Sequence, residues 1–552
     1  MLEGCTPWPK DFAREYVRRG YWRAHTLAEL LEDCARRAPE RVFVADDRGT
    51  LTCREVDQLA GRLAFHLLDR GFAPRDIVLF QLPNIREFII AFFAVHKIGV
   101  IPVMCLPAHR LSELAYFANL TQAKGYIFPQ RFRNFDYLAM AQELRAAAPS
   151  LQYFVATDDG SAAGVSYLDP WLRQPLDAGR LAAALAPYRP DPFDVAFFLL
   201  SGGTTGVPKL IPRTHADYIF NARECAQVLG WGQDTAFLIV LPAAHNFPLG
   251  QPGMVAALAC GGSVVLCPST EAEAVFATIE RLRPTILPVS PALLISLLNA
   301  PGRDRHDLTS LRFVCVGGQR MLPELVDRTR AALDFALPGH AFGMAEGLTN
   351  LTRPDDPWDV IRETQGRPVS PADEIKIVSE DGMEVAPGAV GELLARGPYT
   401  IRGYYRAAEH NRVAFTQDGF YRTGDMVRHH PSGNLVVEGR KKDLINRGGE
   451  KISAEEVENL ALGHANVHMI AIVAMPDPVL GERSCAFVIP KPGRSLTLEE
   501  LNGFLSAKKI AKFKLPERLE IVESFPVTAM GKVSKKALRE QIAARLGRVD
   551  GC

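Results

Sequence analysis

Apolar residues recur at helical spacing from Thr26 to Arg37 and again from Cys53 to Asp69, and between them Arg41 to Ala45 reads as a strand. Asp76 to Leu82 is a short apolar run ended by Pro83, as a buried parallel strand requires. A helix through Phe88 to His96 and a strand at Val100 to Met104 complete a βαβ unit. Similar runs return near Asp194–Leu200, Ala236–Leu241, Ser263–Leu266 and Arg312–Val316, which predicts an α/β fold of layered sheets and helices. From about residue 373 to 439 the texture shifts to short strands separated by Gly, Pro and Asp, such as Glu374–Val378 and Leu435–Gly439, predicting a small β subdomain. The charged stretch 440–443 reads as a hinge, and Ser453-Ala-Glu-Glu456 has the capping-box spacing that opens a helix. The expected organisation is a large multi-layer domain over 1–439 and a compact α+β domain over 444–552.

A chain of 552 residues, 47% of them apolar, has enough material for at least two cores. Lys plus Arg and Asp plus Glu both number 63, so no global field recruits nucleic acid or an anionic membrane. The ten cysteines show neither a CxxC pair nor regular spacing, so the expectation is reduced thiols in a cytoplasmic protein, without a zinc site or a disulfide framework. The start of the chain has no secretory signal pattern, and the longest apolar run, Phe88 to Val95, falls far short of the ~20 residues of a membrane span.

The candidate chemistry begins at Ser201-Gly-Gly-Thr-Thr-Gly-Val-Pro-Lys209, directly after an apolar strand. Gly202, Gly203 and Gly206 let backbone N–H groups turn toward an anion, Ser201, Thr204 and Thr205 add donors, and Lys209 adds charge: a cradle for a nucleotide triphosphate. Val207-Pro208 intervenes before the lysine, so the GxxxxGK[ST] loop of P-loop NTPases is disfavoured.

The loop resembles the phosphate-binding signature of the adenylate-forming superfamily. Phe342-Gly-Met-Ala-Glu-Gly347, Tyr421-Arg-Thr-Gly-Asp425, Gly439-Arg-Lys-Lys-Asp443 and Pro526-Val-Thr-Ala-Met-Gly-Lys532 resemble its other motifs in the same order. Pro242-Ala-Ala-His-Asn-Phe-Pro-Leu249, Gly403-Tyr-Tyr-Arg406 and Ile445-Asn-Arg-Gly-Gly-Glu-Lys451 narrow the likeness to stand-alone aryl acid AMP ligases, similar to 2,3-dihydroxybenzoate AMP ligases of siderophore and related peptide pathways.

The resemblance implies ATP and Mg²⁺. Ser201, Gly202, Gly203, Thr204, Thr205 and Lys209 would hold the outer phosphates, with Glu346 and Thr204 at the metal. Asp425 would accept from the ribose hydroxyls, Gly317 and Gly318 would pass beside adenine, and Arg440 would reach ribose or phosphate. Lys532 would bridge the substrate carboxylate and the α-phosphate, offsetting the repulsion between two anions. Rotation of a mobile C-terminal domain about Lys442 would then replace Lys532 by the Gly448-Gly449 loop and admit a thiol. Read without the family, Glu346 is an ordinary surface carboxylate, Asp425 a turn residue and Lys532 one of a solvated basic cluster.

His245-Asn246-Phe247 follows a strand end, where ligands bind in parallel sheets. The resemblance makes Asn246 the reader of an ortho hydroxyl or amino group, Phe247 a pocket wall and His245 an aromatic gate rather than a base. Gln251, Ala341 and Thr349, with Gly318, would complete the pocket, the first and last more polar than in dihydroxybenzoate and salicylate enzymes. If Gln251 points inward, an unpartnered amide costs about 1–3 kcal/mol, favouring a 3-hydroxy acid such as 2,3-dihydroxybenzoate, 3-hydroxyanthranilate or 3-hydroxypicolinate over plain salicylate. The expected acceptor is the phosphopantetheine thiol of an aryl carrier protein. The competing readings are an aryl-CoA ligase and, in another class, a non-catalytic adenylate-binding scaffold. A nucleic-acid site at Lys508–Lys514 is a weak third, since such a run is usually a solvated face. Monomer and homodimer both stay open.

Overall fold

The computed structural model describes residues 1–201, 208–448, 450–528 and 532–549. Among these, two large sheets form the N-terminal body. One has nine strands in the order Arg367–Pro368, Thr349–Leu351, Leu337–Gly343, Phe313–Gly317, Ile286–Val289, Ala236–Ile239, Ser263–Leu266, Val42–Asp46, Gly49–Thr52. Its interior is parallel and its edges antiparallel. The other has seven strands, from Leu210–Thr214 through Val195–Leu200, Ile101–Met104 and Ile77–Phe80 to Ser166–Tyr167.

The predicted elements form where the apolar pattern placed them. Helix Leu27–Arg37 is capped by a Thr26–Glu29 box, and helix Cys53–Asp69 by a Thr52–Glu55 box. Helix Arg86–Lys97 is buried on every face, as its unbroken apolar run demands. The charges at its ends are paired: Glu87 with Arg48 at 2.7 Å, and Lys97 with Asp57 at 2.8 Å. Helix Ala454–Leu462 carries only half of the expected box. Ser453 Oγ accepts from the Glu456 N–H, but the Glu456 carboxylate is held by Lys514 at 2.6 Å.

One expectation is corrected. Cys34 and Cys53 are joined by a disulfide, their Cα atoms 5.9 Å apart. The two helices that carry them pack together, a tertiary proximity that a 19-residue separation in sequence does not announce. The other described cysteines are free thiols, and burial pushes several of them, Cys105 and Cys315 included, far above the ordinary value.

A four-stranded antiparallel sheet, Glu374–Val378, Gly391–Arg396, Tyr421–His429 and Leu435–Arg440, follows the body. After a single turn, Lys441–Asp443, the chain enters a five-stranded sheet built on Val467–Asp477 and Gly481–Pro490. Its contacts back to the preceding part include polar ones: Ser453 Oγ donates to the Glu438 carbonyl at 2.6 Å, and Asn299 meets His468 at 3.1 Å. No helix among the described residues is long and apolar enough to cross a membrane.

Candidate active site

The central feature is the place where the C-terminal part reaches the N-terminal sheet. Strand Phe313–Gly317 ends at Gly317, and Gly318 turns the chain with φ +87°, a conformation that a Cβ disfavours. A Cβ at residue 318 would lie 2.8 Å from Lys532 Cε and 3.2 Å from Nζ, so the lysine stem lies directly over this glycine. A Cβ at Gly317 would meet the Phe247 ring at 3.0 Å and the Ala341 carbonyl at 3.2 Å, which makes Phe247, Gly317 and Ala341 one wall.

His245 caps the short helix Asn246–Gly250, its Nδ1 accepting from the Phe247 N–H at 3.3 Å. Asn84 sets the approach to this cap. Its amide donates to the carbonyls of Ile239, Leu241 and Cys267 and accepts from the Ala243 N–H at 2.9 Å, tying strand ends to the loop that leads into His245. Burial and then the nearby Lys532 charge lower the imidazole to about 3, so His245 is neutral at physiological pH, which suits a gate and not a proton carrier. Lys532 itself is lowered to about 8, first by burial, then by Arg440, with Asp425 opposing.

Asp425 is buried, its backbone N–H bonded to Thr423 Oγ at 3.0 Å, and its carboxylate meets Arg440 Nε at 2.8 Å. Burial raises the Asp425 pKa against the pull of Arg440 and Lys532, and Asp425 in turn raises that of Arg440. Glu346 is also buried. Its Oε1 accepts from Tyr404 OH at 2.7 Å, and Tyr404 OH lies 3.0 Å from Tyr421 OH. The neighbouring Ala345 carbonyl accepts from Arg213, a fully buried guanidinium paired with Asp217 at 2.6 Å. Lys442 lies in the single turn after Arg440, and burial lowers its pKa.

Ser201 and Lys209 close the neck of the glycine-threonine loop: the Ser201 N–H donates to the Lys209 carbonyl, and the Lys209 N–H to Ser201 Oγ, both at 2.9 Å. Gly202, Gly203, Thr204 and Thr205 lie outside the described residues, as does Gly449. Gly448 packs against Leu480 while Lys532 lies on Gly318.

The pocket side chains form a buried polar chain. Gln251 Nε2 donates to the Gly347 carbonyl at 3.2 Å, Gln251 Oε1 accepts from Asn246 Nδ2, and Asn246 Oδ1 accepts from Tyr218 OH at 3.0 Å. Thr349 Oγ accepts from Asn221 Nδ2 at 3.3 Å, and the side-chain Oδ1 of Asn221 is buried with no partner among the described residues. Gln251 is thus buried but already bonded at both ends of its amide, and the argument that it needs a 3-hydroxyl to avoid an unpartnered amide no longer holds. Tyr218, Asn221 and Thr423 were not singled out from sequence. A tyrosine or asparagine on an apolar helix and a threonine in a strand read as ordinary core and edge residues.

The arrangement gathers a half-buried cation, a neutral imidazole and an aromatic wall around one glycine turn, and adds a buried carboxylate paired with an arginine. The model of the AMP-binding enzyme family matches residues 31–405, and that of the AMP-binding enzyme C-terminal domain matches 456–532. A 2,3-dihydroxybenzoate-AMP ligase of Bacillus subtilis (strain 168) is 44% identical over 99% of both chains. A salicylyl-CoA synthase / salicylate adenylyltransferase of Streptomyces sp is 47% identical over 99% of both. A salicyl-AMP ligase / salicyl-S-ArCP synthetase of Mycobacterium tuberculosis is 45% identical over 99% of this chain and 96% of the relative. Among solved structures, apo MbtA of Mycobacterium smegmatis is similar with a TM-score of 0.73 and 41% identity over 98% of this chain and 99% of that one.

Proposed function

The chain belongs to the AMP-binding enzyme family, and from that premise we propose that it adenylates an ortho-substituted aromatic carboxylic acid with ATP and passes the aryl group to the thiol of a carrier protein. The observation that carries the reading is the seating of Lys532 on Gly318, next to the Phe247–Gly317–Ala341 wall, with its charge felt at His245 and at the Asp425–Arg440 pair. Attack of a carboxylate on the α-phosphorus brings two anions together, and a fixed ammonium at that point stabilises the charge as the bond forms. The neutral His245 adds no competing positive charge and screens the site from water. Asp425, held by Arg440 and Thr423, offers its remaining oxygen lone pairs to the ribose hydroxyls.

Among the described residues no cluster of three or more His, Cys, Asp or Glu is poised to hold a metal. Among the described residues no hydrogen bond reaches Glu346 Oε2 while Tyr404 fixes Oε1, and one carboxylate oxygen beside ATP phosphates would suit Mg²⁺, a hard cation that retains several waters. When bound, the ion would neutralise phosphate charge. Thr204 and the rest of the loop would complete the phosphate site by family likeness. Residues 440–443 serve in this reading as the hinge between parts 1–439 and 444–552.

Aryl-acid-dependent ATP–pyrophosphate exchange tests the first half-reaction. A comparison of free coenzyme A with a phosphopantetheinylated aryl carrier protein tests the second. Exchange without transfer to the carrier, but with transfer to coenzyme A, would favour the aryl-CoA ligase reading, and absence of exchange with every aryl acid would favour a scaffold.

A further inference from the structure

The segment Gly403-Tyr-Tyr-Arg406 is bonded to the exit of the phosphate loop, to Glu346 and to the strand of Asp425. The Tyr405 N–H donates to the Leu210 carbonyl at 3.0 Å, on the strand that leaves the glycine-threonine loop. Asn411 clamps the backbone of Tyr404, its Oδ1 accepting from the Tyr404 N–H at 2.9 Å and its Nδ2 donating to the Tyr404 carbonyl at 3.0 Å. The Glu346 carbonyl accepts from the Ile401 N–H at 2.8 Å. Tyr421 opens the strand Tyr421–His429, which also carries Asp425.

The hydrogen bonds between these side chains run one way. A carboxylate only accepts, so the single phenolic hydrogen of Tyr404 goes to Glu346 Oε1 at 2.7 Å. At the 3.0 Å contact between the two phenols, Tyr421 must then donate to Tyr404. Burial and then the Glu346 charge push both hydroxyls above their ordinary range, so both keep their protons. All three side chains are buried: Tyr404 is 4% exposed, Tyr421 and Glu346 8% each. A chain of donors that ends on a carboxylate polarises along its length and holds that carboxylate in one orientation.

The chain supplies no positive charge. Arg440, a cation that feels the Glu346 charge, is already paired with Asp425 at 2.8 Å. Among the described residues Glu346 makes no ion pair, and the phenol on Oε1 is neutral. A buried carboxylate in that state is costly until a cation meets it.

We propose that Tyr404, backed by Tyr421, is a positioning residue that holds the Glu346 carboxylate for the divalent cation accompanying ATP and so sets the cation requirement of the enzyme. This rests on the reading of Glu346 given above and deepens it. Loss of the Tyr404 hydroxyl removes orientation and leaves the charge in place, so its effect is weaker cation binding that a higher cation concentration restores.

The test compares the whole wild-type enzyme with Tyr404→Phe, Tyr421→Phe and Glu346→Gln. Mn²⁺ binding is followed by electron paramagnetic resonance in the presence of α,β-methylene-ATP and without aryl acid. The Mg²⁺ concentration for half-maximal ATP–pyrophosphate exchange is measured alongside. Tyr404→Phe should weaken Mn²⁺ binding and raise that Mg²⁺ concentration by about tenfold or more, the scale of losing a hydrogen-bond partner of a metal-binding carboxylate. At saturating Mg²⁺ both kcat and KM for the aryl acid should return to within about twofold of wild type. Tyr421→Phe should shift the requirement in the same direction by about threefold, since it removes only the donor behind Tyr404. Should Tyr404→Phe not fold, Tyr421→Phe decides on the same readouts. A Tyr404→Phe enzyme with lowered kcat and an unmoved cation requirement, or one that saturating Mg²⁺ does not restore, would overturn the proposal. A wild type indifferent to the divalent cation, or Glu346→Gln without a shift, would instead overturn the reading of Glu346 on which it rests.

Discussion

Lys532 and Gly318 are in van der Waals contact across the two parts of the chain, close enough that a methyl group at residue 318 would lie 2.8 Å from Lys532 Cε. The contact joins a lysine of the C-terminal part to the turn that ends a central strand of the nine-stranded sheet, and it depends on a residue without a side chain.

Gly318→Ala should therefore displace Lys532 and also strain a backbone at φ +87°. The expected result is a loss of roughly 10²-fold in pyrophosphate exchange. Transfer of the aryl group from supplied aryl-AMP to the carrier thiol should fall much less, because it does not need the lysine in place. Equal loss of both steps would speak for a general folding defect.

The pH profile follows from Lys532. Its pKa is lowered to about 8, and the protonated form is the useful one, so kcat/KM for ATP should fall as pH rises through about 8. His245, lowered to about 3, should add no inflection between pH 5 and 8. A profile that rises through pH 8 would contradict an ammonium at the reacting centre.

Lys442→Pro addresses the hinge. The residue lies in a 3₁₀ turn, whose φ is close to the value proline imposes, so the present arrangement should be tolerated while rotation is hindered. Pyrophosphate exchange should stay near wild type and thioester formation should drop by about tenfold or more. Exchange and thioester formation falling together would count against the hinge.

Asp373 supplies a stability test away from the chemistry. It is half-buried and accepts from Tyr399 OH, and desolvation raises its pKa to about 8. A raised carboxyl contributes stability that is complete below its unfolded value near 4 and is lost as pH rises through 8. Asp373→Asn should flatten that dependence, gaining on the order of 1–3 kcal/mol over wild type at pH 8 relative to pH 4, measured by urea unfolding.

Much of this architecture was legible in the chain because burial leaves a periodic mark. The run Phe88 to Val95 could only be a helix or strand buried on all sides, and the alternating textures before and after residue 373 separated layered from antiparallel sheets. The motif residues Glu346, Asp425 and Lys532 were visible by likeness, but their partners were not. Tyr404 on Glu346 and Thr423 on Asp425 lie inside quoted motifs that name no pairing, and Tyr218 on Asn246 reads as an ordinary core residue 28 positions away. The state of Gln251 was likewise hidden, since whether an amide is bonded depends on a backbone carbonyl at residue 347 that no side-chain pattern reveals. The Cys34–Cys53 bond was missed for the same reason: packing of two helices, not spacing, brings the sulfurs together.

The most direct test of the account is a single-turnover measurement of aryl-AMP formation from ATP and salicylate or 2,3-dihydroxybenzoate, comparing the wild-type enzyme with Lys532→Ala. Aryl-AMP should accumulate in the wild type and form at least about 10²-fold more slowly in the variant, with ATP binding little changed. Aryl-AMP formed at the same rate in both would contradict the central claim that Lys532, seated on Gly318, stabilises the charge of the adenylation step.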